Sequence, residues 1–125
     1  MSAQVEAVSW PGPGDAFDSD CPARVVLDHI TSKWAVLVLV ALLEDGETRF
    51  SALRRRVGGV SEKMLAQTLR TLEGDGFVVR TVVPSTPPQV SYALTDLGRD
   101  LTLHLSGLIG WINARVPEIV AGSTR

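Results

Sequence analysis

The sequence is poor in several features, and each shortage excludes a class of protein. Its 125 residues include one cysteine, Cys21, so no intramolecular disulfide can form and the chain suits a reducing compartment. The longest apolar run, 34–43, has ten residues, about half of what a helix needs to cross a bilayer. The first twenty residues are acidic and contain no signal-peptide pattern. These absences predict a cytoplasmic protein without a membrane partner.

Chemically reactive residues are also scarce. The two histidines, His29 and His104, are far apart and have no metal-ligand spacing with Cys21. The motifs of a nucleophilic serine, a phosphate-binding loop and a dinucleotide site are missing, as are paired carboxylates that would suggest catalysis. We therefore expect no enzyme activity, no metal site and no cofactor.

The net charge of −2 argues at first against a nucleic-acid partner, but the charges are unevenly distributed. Residues 1–48 carry two basic and eight acidic residues, whereas residues 49–80 carry seven basic and three acidic ones. The remaining segment, 81–125, is balanced. Because the local field at a contact face matters more for binding than the sum over the chain, the middle segment is the candidate for nucleic-acid contact.

The apolar pattern of the first half predicts two helices. The run at 34–43 favours a buried helix that ends at 44–46, because it is long and free of glycine and proline, although its valines also suit a strand. Before it, Pro22 suits the first position of a short helix, which Asp18, Ser19 or Asp20 can cap. The apolar face of this first helix would consist of Val25, Leu27 and Ile30.

Two further short helices follow an extended stretch at 47–49. The first has apolar residues at 50, 53 and 57, carries arginines on its other face and ends at Gly58-Gly59. The second begins at Ser61, a preferred N-cap residue, and ends at Gly74 and Gly76. Its predicted apolar stripe consists of Met64, Leu65, Leu69 and Leu72.

Alternating apolar and polar residues then predict a hairpin. Residues 77–83 suit a strand, the proline-rich residues 84–88 a turn, and residues 90–94 the returning strand. Thr95 can cap a long helix that we expect to end at Pro117. One apolar face of this helix would consist of Leu97, Leu101, Leu105, Leu108 and Ile112, and a second apolar set of Leu103, Ile109 and Trp111 would suit a partner.

Two short helices joined by a glycine turn and followed by a hairpin are typical of a winged helix-turn-helix. The predicted fold class is mainly α with a small β-hairpin (α+β), in which N- and C-terminal helices flank the motif and serve dimerisation. We predict a flexible acidic arm at residues 1–19 and one winged helix-turn-helix domain at residues 20–121.

Short motifs distributed from Cys21 to Trp111 carry a family resemblance. In order, they are Cys21-Pro22, Lys33-Trp34, Arg49-Phe50-Ser-x-Leu53, Ser61-x-Lys63-Met64-Leu65, Leu69-x-x-Leu72-x-x-x-Gly76 and Val90-x-Tyr92-x-Leu94-Thr95-x-x-Gly98. The set resembles the HxlR family of MarR-like winged-helix regulators. One departure is Thr31-Ser32, where that family often has two glycines. The resemblance implies a dimeric bacterial transcriptional regulator that binds DNA, in which Cys21 senses oxidants or electrophiles, as the cysteine of some members does.

The helix at 61–75 is the predicted recognition helix, because the second helix of such a motif lies in the major groove. Lysine and arginine can donate to guanine or phosphate, and glutamine can pair with adenine. A solvated face of any surface helix would show the same residue types. We expect Glu62, Lys63, Gln67, Thr68 and Arg70 at non-core positions, and the candidate DNA-binding residues of the helix are Ser61, Lys63, Met64, Gln67, Thr68 and Arg70.

Residues outside that helix would contact the DNA backbone. The cluster 54–56 has no acidic residue within four positions, so we expect one or two of its arginines on phosphates. The cluster could instead serve solubility or bind acidic residues of the N-terminal third. The wing, 81–89, has no cation at its tip and is expected to position the protein more than to read sequence. The candidates for phosphate contact are Arg54, Arg55, Arg80, Ser85 and Thr86.

Cys21 has two interpretations. The N-terminus of a helix favours a thiolate there, whereas Asp18 and Asp20 disfavour it. A lone cysteine is more commonly a small packed hydrophobic residue. A reactive Cys21 could form a sulfenic acid, a mixed disulfide with a small thiol or a disulfide to Cys21 of a second subunit.

The sequence as a whole predicts a homodimeric regulator, a repressor, on a pseudo-palindromic operator. Its two recognition helices would enter successive major grooves of double-stranded DNA about 34 Å apart. A thiol modification or a small-molecule inducer near the interface would change that spacing. The alternative is a winged-helix protein-interaction module without DNA binding, which the negative net charge and the cation-free wing tip favour.

Overall fold

A computed structural model describes residues 12–123, which form five helices and three short strands. Their order confirms the predicted winged helix-turn-helix, including a helix rather than a strand at 34–43. Within this range no single helix is long and apolar enough to cross a membrane. The helices are α1 (Pro22–Ile30), α2 (Lys33–Asp45), α3 (Phe50–Arg56), α4 (Glu62–Gly74) and α5 (Asp96–Ser123), and the strands are β1 (Thr48–Arg49), β2 (Val78–Val83) and β3 (Gln89–Leu94).

The predicted acidic arm is described only from residue 12 onward, and residues 1–11 lie outside the described part. Residues 15–20 form turns that are attached to α1. The Arg24 side chain donates hydrogen bonds to the Ala16 and Phe17 carbonyls, at 2.8 and 3.0 Å. The prediction that Asp18, Ser19 or Asp20 caps α1 is wrong, because Cys21 is the N-cap residue and makes no side-chain capping bond. The Asp18 carboxylate instead accepts from the Asp20 amide within its own turn.

The inner face of α1 differs from the predicted one. Val26 and Ile30 pack against the core, whereas Val25 and Leu27 are each 41% exposed. The reason is geometric: Val26 and Ile30 are four residues apart and form a narrow line along the helix. Since α1 rests on the domain along this line, the apolar residues on either side of it stay in solvent.

The turn between α1 and α2 is built without glycine. Thr31 ends α1 in the right-handed region, and Ser32 begins α2 as its N-cap. The Ser32 hydroxyl accepts a hydrogen bond from the Ala35 amide at 3.2 Å, which satisfies one of the free donors of the first turn. Where the family often has two glycines, this chain therefore has a turn that is stabilised by the Ser32 side-chain cap.

Helix α2 forms the centre of the core and lies against α4, α3 and α5. The stripe that α4 buries against it is spaced at 65, 68, 69 and 72, so Thr68 is buried while Met64 is 39% exposed. The predicted stripe was wrong at these two positions. Leu65, Thr68 and Leu72 lie three and four residues apart and therefore share one face of the helix, whereas Met64 is turned by about 100° from Leu65. The fully buried large side chains include Leu39, Leu42, Leu53, Leu65, Leu69 and Leu72.

The three strands form an antiparallel sheet in the order β1-β3-β2. Tyr92 of β3 lies between Thr48 of β1 and Arg80 of β2, and its ring meets Phe50 edge to face at 6.4 Å. β2 and β3 are paired along their full length, from Val78 opposite Leu94 to Val83 opposite Gln89. This pairing confirms the predicted hairpin and fixes its tip, 84–88, at the far end from the core.

Helix α5 begins as predicted and continues further than predicted. The Thr95 hydroxyl accepts from the Gly98 amide at 3.0 Å, which confirms the cap. The helix runs past Pro117 to Ser123, so the predicted end was wrong. A proline removes one amide donor and crowds the preceding turn, which weakens a helix, but it does not end one whose flanking residues remain helical.

The apolar face predicted for α5 is buried only in part. Leu101 and Leu105 pack against the core, whereas Leu97, Leu108 and Ile112 are exposed. The face was predicted from periodicity, which continues along the whole helix, whereas only the part around Leu101 and Leu105 meets the core. In the second apolar set, Ile109 is half-buried beside α2, and Leu103 and Trp111 are exposed.

Candidate nucleic-acid interface

The outward face of α4 is polar and begins at a well-formed cap. The Ser61 hydroxyl accepts from the Met64 amide at 3.0 Å, which confirms Ser61 as the N-cap. Of the predicted DNA-binding set, Thr68 is the exception, because it belongs to the buried stripe and its side chain is not on this face. The exposed residues of α4 that could reach base edges or phosphates are Glu62, Lys63, Met64, Gln67 and Arg70.

The turn that leads into α4 is braced by Arg54. Its Nε lies 3.5 Å from the Val60 carbonyl oxygen, and its Nη1 lies 3.5 Å from the Glu62 carboxylate. Both contacts are long, and the one to Glu62 is exposed, so each contributes little to the free energy of unfolding. About half of the Arg54 side chain remains in solvent, and its guanidinium is therefore available to a phosphate.

The other two arginines of the cluster differ from each other. Arg56 pairs with Glu44 and with Asp45, which joins the end of α3 to the end of α2. Arg55 is exposed, and within residues 12–123 it makes no hydrogen bond or ion pair. The alternative that the cluster binds acidic residues of the N-terminal third therefore holds for Arg56, while Arg55 keeps its charge unpaired.

A groove of about 520 Å³ runs between the wing and the first helix of the motif. It is lined by Arg49 and Arg54 on one side and by residues 87–90 of the wing on the other, with Glu62 at the start of α4. Arg49 was not among the predicted site residues. Its position was the available signal, since it is the N-cap residue of α3, the end of the helix that crosses the DNA backbone in this motif.

The wing offers fewer side chains for phosphate contact than its hydroxyl groups suggested. The Ser85 hydroxyl donates to the Pro87 carbonyl at 2.6 Å, so its proton is used within the turn and cannot be donated to a phosphate. Thr86 is exposed at the tip, and Arg80 is exposed on β2, opposite Tyr92. Arg80 is therefore the wing residue best suited to a phosphate.

Cys21 lies apart from this face. It is 1% exposed, and its Sγ accepts a hydrogen bond from the Asp15 amide at 3.2 Å. A Cβ added to Gly14 would lie 3.2 Å from the same sulfur, so residues 14 and 15 cover the thiol closely. A reagent could reach Cys21 only after this segment moved away.

The histidines occupy different environments. His29 contacts Asp75 at 2.6 Å, and His104 is exposed on α5. Among the described residues, no group of three or more histidine, cysteine, aspartate or glutamate side chains could hold a metal ion.

A helix-turn-helix with a paired hairpin wing and an exposed polar second helix defines the winged-helix class of DNA-binding proteins. Residues 29–119 match the HxlR-like helix-turn-helix family. The chain is 53% identical over 108 residues to the HTH-type transcriptional regulator YtfH of Escherichia coli K12. The matched segment covers 86% of this chain and 85% of that protein.

Two solved structures extend the comparison. The transcriptional regulator ytfH from Salmonella typhimurium is 50% identical, with a TM-score of 0.85 over 90% of this chain and 100% of that one. The redox regulator HypR in its reduced form is 33% identical, with a TM-score of 0.71 over 80% of this chain and 98% of that one. This chain belongs to the HxlR-like helix-turn-helix family, whose members are transcriptional regulators and not enzymes.

Proposed function

We propose that the chain is a repressor that binds a pseudo-palindromic operator as a homodimer. The observation that carries this proposal is the exposed face of α4, where Lys63, Gln67 and Arg70 are in solvent. These side chains can recognise guanine and adenine edges in a major groove. The Ser61 side chain caps the start of α4, which supports a helix that is formed before DNA binds.

The phosphate contacts would come from residues around that helix. Arg49 and Arg54 line the groove beside the wing, and Arg55 makes no ion pair with any residue of the described range 12–123. Arg80 would add a contact from the wing. These residues make a cationic surface in a chain of net charge −2, which agrees with recognition through the local field.

A second copy of the chain is supported by α5. The exposed apolar residues on its second half are too many for a surface helix of a monomer. Val25 and Leu27 of α1 are also exposed and apolar. Covering these surfaces in a symmetric dimer would pair two recognition helices, as a palindromic operator requires. The exposed apolar residues of α5 beyond residue 107 are Leu108, Trp111, Ile112, Val116, Ile119 and Val120.

The test of DNA recognition uses a duplex that the wild-type chain selects from a random-sequence library, with a scrambled duplex for comparison. Lys63→Ala or Gln67→Ala should reduce discrimination between the two by roughly 1–3 kcal/mol. Arg55→Ala should weaken both alike and flatten the salt dependence by about one unit of slope. Arg99→Ala, which removes an exposed arginine of α5, is the matched control and should change neither.

Unchanged affinity in all three variants would show that α4 does not lie in the major groove. Binding of neither duplex, even at low salt, would favour the protein-interaction module. The observation that favours this second function is the wing tip, where residues 84–88 carry no cation and the Ser85 hydroxyl donates to the Pro87 carbonyl.

Induction is proposed to act through Cys21. The support is its place at the N-cap of α1, under a short covering segment, and the similarity to a protein described as a redox regulator. Diamide should abolish binding of the selected duplex by the wild type and leave Cys21→Ser bound. An equal response of both proteins, or none, would assign Cys21 to packing and the signal to a small-molecule ligand.

A further inference from the structure

Helix α1 is joined to the recognition helix by one polar pair. His29 lies in the last turn of α1, and Asp75 is the C-cap residue of α4. The His29 Nδ1 lies 2.6 Å from the Asp75 Oδ2. Across residues 12–123, no other side-chain hydrogen bond connects these two helices. The pair is therefore the polar link between α1 and the C-terminal end of α4.

The Asp75 carboxylate depends on this partner. Its side chain is 3% exposed, whereas that of His29 is 27% exposed. A carboxylate removed from water to this extent needs a hydrogen-bond donor, because leaving it unpaired is costly. Since a carboxylate oxygen accepts, His29 donates from Nδ1. Loss of the imidazole would drive Asp75 toward solvent, and the C-terminal end of α4 would move with it.

Packing between the two helices is incomplete beside this pair. A cavity of about 230 Å³ lies between them, lined by Asp28 and His29 on one side and by Met64, Gln67 and Thr71 on the other. No residue of α1 is fully buried. His29 lines this cavity, so the hydrogen bond lies beside a space that the side chains of the two helices do not fill.

The segment after α4 is held differently on its opposite side. Gly76 has a φ of +84°, and its carbonyl accepts from the Thr95 hydroxyl at 2.6 Å. The Phe77 amide donates to the Leu72 carbonyl at 3.0 Å. The contact with Thr95, at the start of α5, therefore holds one side of the helix end, and the His29–Asp75 pair holds the other.

We propose that His29 is a positioning residue for DNA recognition, which sets the tilt of α4 through Asp75. This inference rests on the proposed function of α4. A shift of its C-terminal end, with the N-terminal end capped by Ser61, would displace Gln67 and Arg70 from base edges. Hydrogen bonds to bases weaken steeply with such displacement, whereas phosphate contacts by long arginines adapt. His29 acts in this scheme without touching DNA.

The experiment compares affinity for the selected duplex and for the scrambled one, at a temperature where every variant is folded. His29→Ala should bind the selected duplex about tenfold more weakly, as loss of a hydrogen bond to a charged group implies, with the scrambled duplex unaffected. His29→Asn, whose amide nitrogen takes the place of Nδ1, should stay within about threefold of wild type. His104→Ala removes an exposed histidine and should behave as wild type.

A second readout needs no DNA. Amide exchange at residues 72–77 should be faster in His29→Ala than in wild type, and unchanged in His29→Asn and His104→Ala. If the unpaired carboxylate prevents His29→Ala from folding, the double variant with Asp75→Ala removes the buried charge and should show the same loss of selectivity.

Lower thermal stability of His29→Ala with a wild-type ratio of the two affinities would overturn the proposal, because the pair would then only support the fold. Equal losses in His29→Asn and His29→Ala would overturn it as well. A different outcome is a wild-type chain that selects no duplex, while amide exchange at residues 72–77 is still faster in His29→Ala. That outcome would refute the proposed function and, with it, the role of His29 in DNA recognition. The pair would still fix the end of α4.

Discussion

The first half of α5 lies against its own domain, whereas the second half extends beyond it. Both halves carry apolar residues at helical spacing. Leu101, Thr102 and Leu105 are buried or packed against the core, whereas Trp111, Ile112 and Val116 are exposed. Periodicity therefore indicates which residues share a helix face, but it does not indicate whether the same domain covers that face.

The largest expected effect concerns the first half, where Gly98 of α5 lies close to the backbone of Phe77, the residue before β2. A Cβ added to Gly98 would lie 1.9 Å from the Phe77 carbonyl oxygen. Gly98→Ala should therefore lower the free energy of unfolding by about 3 kcal/mol, since backbone must move to admit the methyl group. Gly107→Ala is the matched control, because nothing lies within 4 Å of its Cβ position, and it should stabilise by about 0.5–1 kcal/mol through helix propensity.

Denaturant unfolding measures both variants. A Gly98→Ala protein as stable as wild type would mean that the close approach of α5 to the Phe77 backbone is not what holds the first half in place.

The next effect concerns the second half. Trp111→Ser should raise the dissociation constant of the dimer about 30-fold, because a large buried aromatic side chain is a typical interface anchor. Arg115 stacks on the same ring, 5.0 Å from its centroid, so its contact would be lost too. Glu118→Gln, on the exposed helix beyond, is the control. Sedimentation or light scattering measures the mass, and a wild-type particle of 13.4 kDa at micromolar concentration would contradict the proposed dimer.

The smallest effect is expected at Pro117, which is exposed in the second half of α5. Pro117→Ala should restore the missing hydrogen bond to the preceding turn and slow amide exchange at residues 113–121. The free energy of global unfolding should change by less than about 0.5 kcal/mol, because this part lies outside the core. A large gain in global stability would mean that the second half folds together with the first.

The sequence predicted the fold well because its boundary signals are local. Ser61, Thr95 and the glycines at 46 and 76 act within one turn of their positions, and each is found where predicted. The faces of the helices were harder to predict. Met64 was expected to be buried and Thr68 exposed, because methionine is the more hydrophobic residue. The structure shows the reverse, because the angular position on α4 decides which side chain is buried.

The candidate site was predictable where a side chain acts alone and not where it acts in a pair. Arg56 was indistinguishable from Arg55 in sequence, because its partners Glu44 and Asp45 lie eleven or more positions away. Asp75 and His29 are separated by 46 positions, which no local window joins. Arg49 was missed because its role depends on the groove that the wing completes.

The pairing of Arg56 also bears on how such a regulator would search a chromosome. Only part of the arginine cluster remains for phosphates, and Glu62 adds a negative charge to the groove. Attraction to arbitrary DNA, which grows with each neutralised phosphate, is then weak. Encounters with unrelated sequence would be brief, and occupancy of the operator would depend chiefly on the match between base edges and α4.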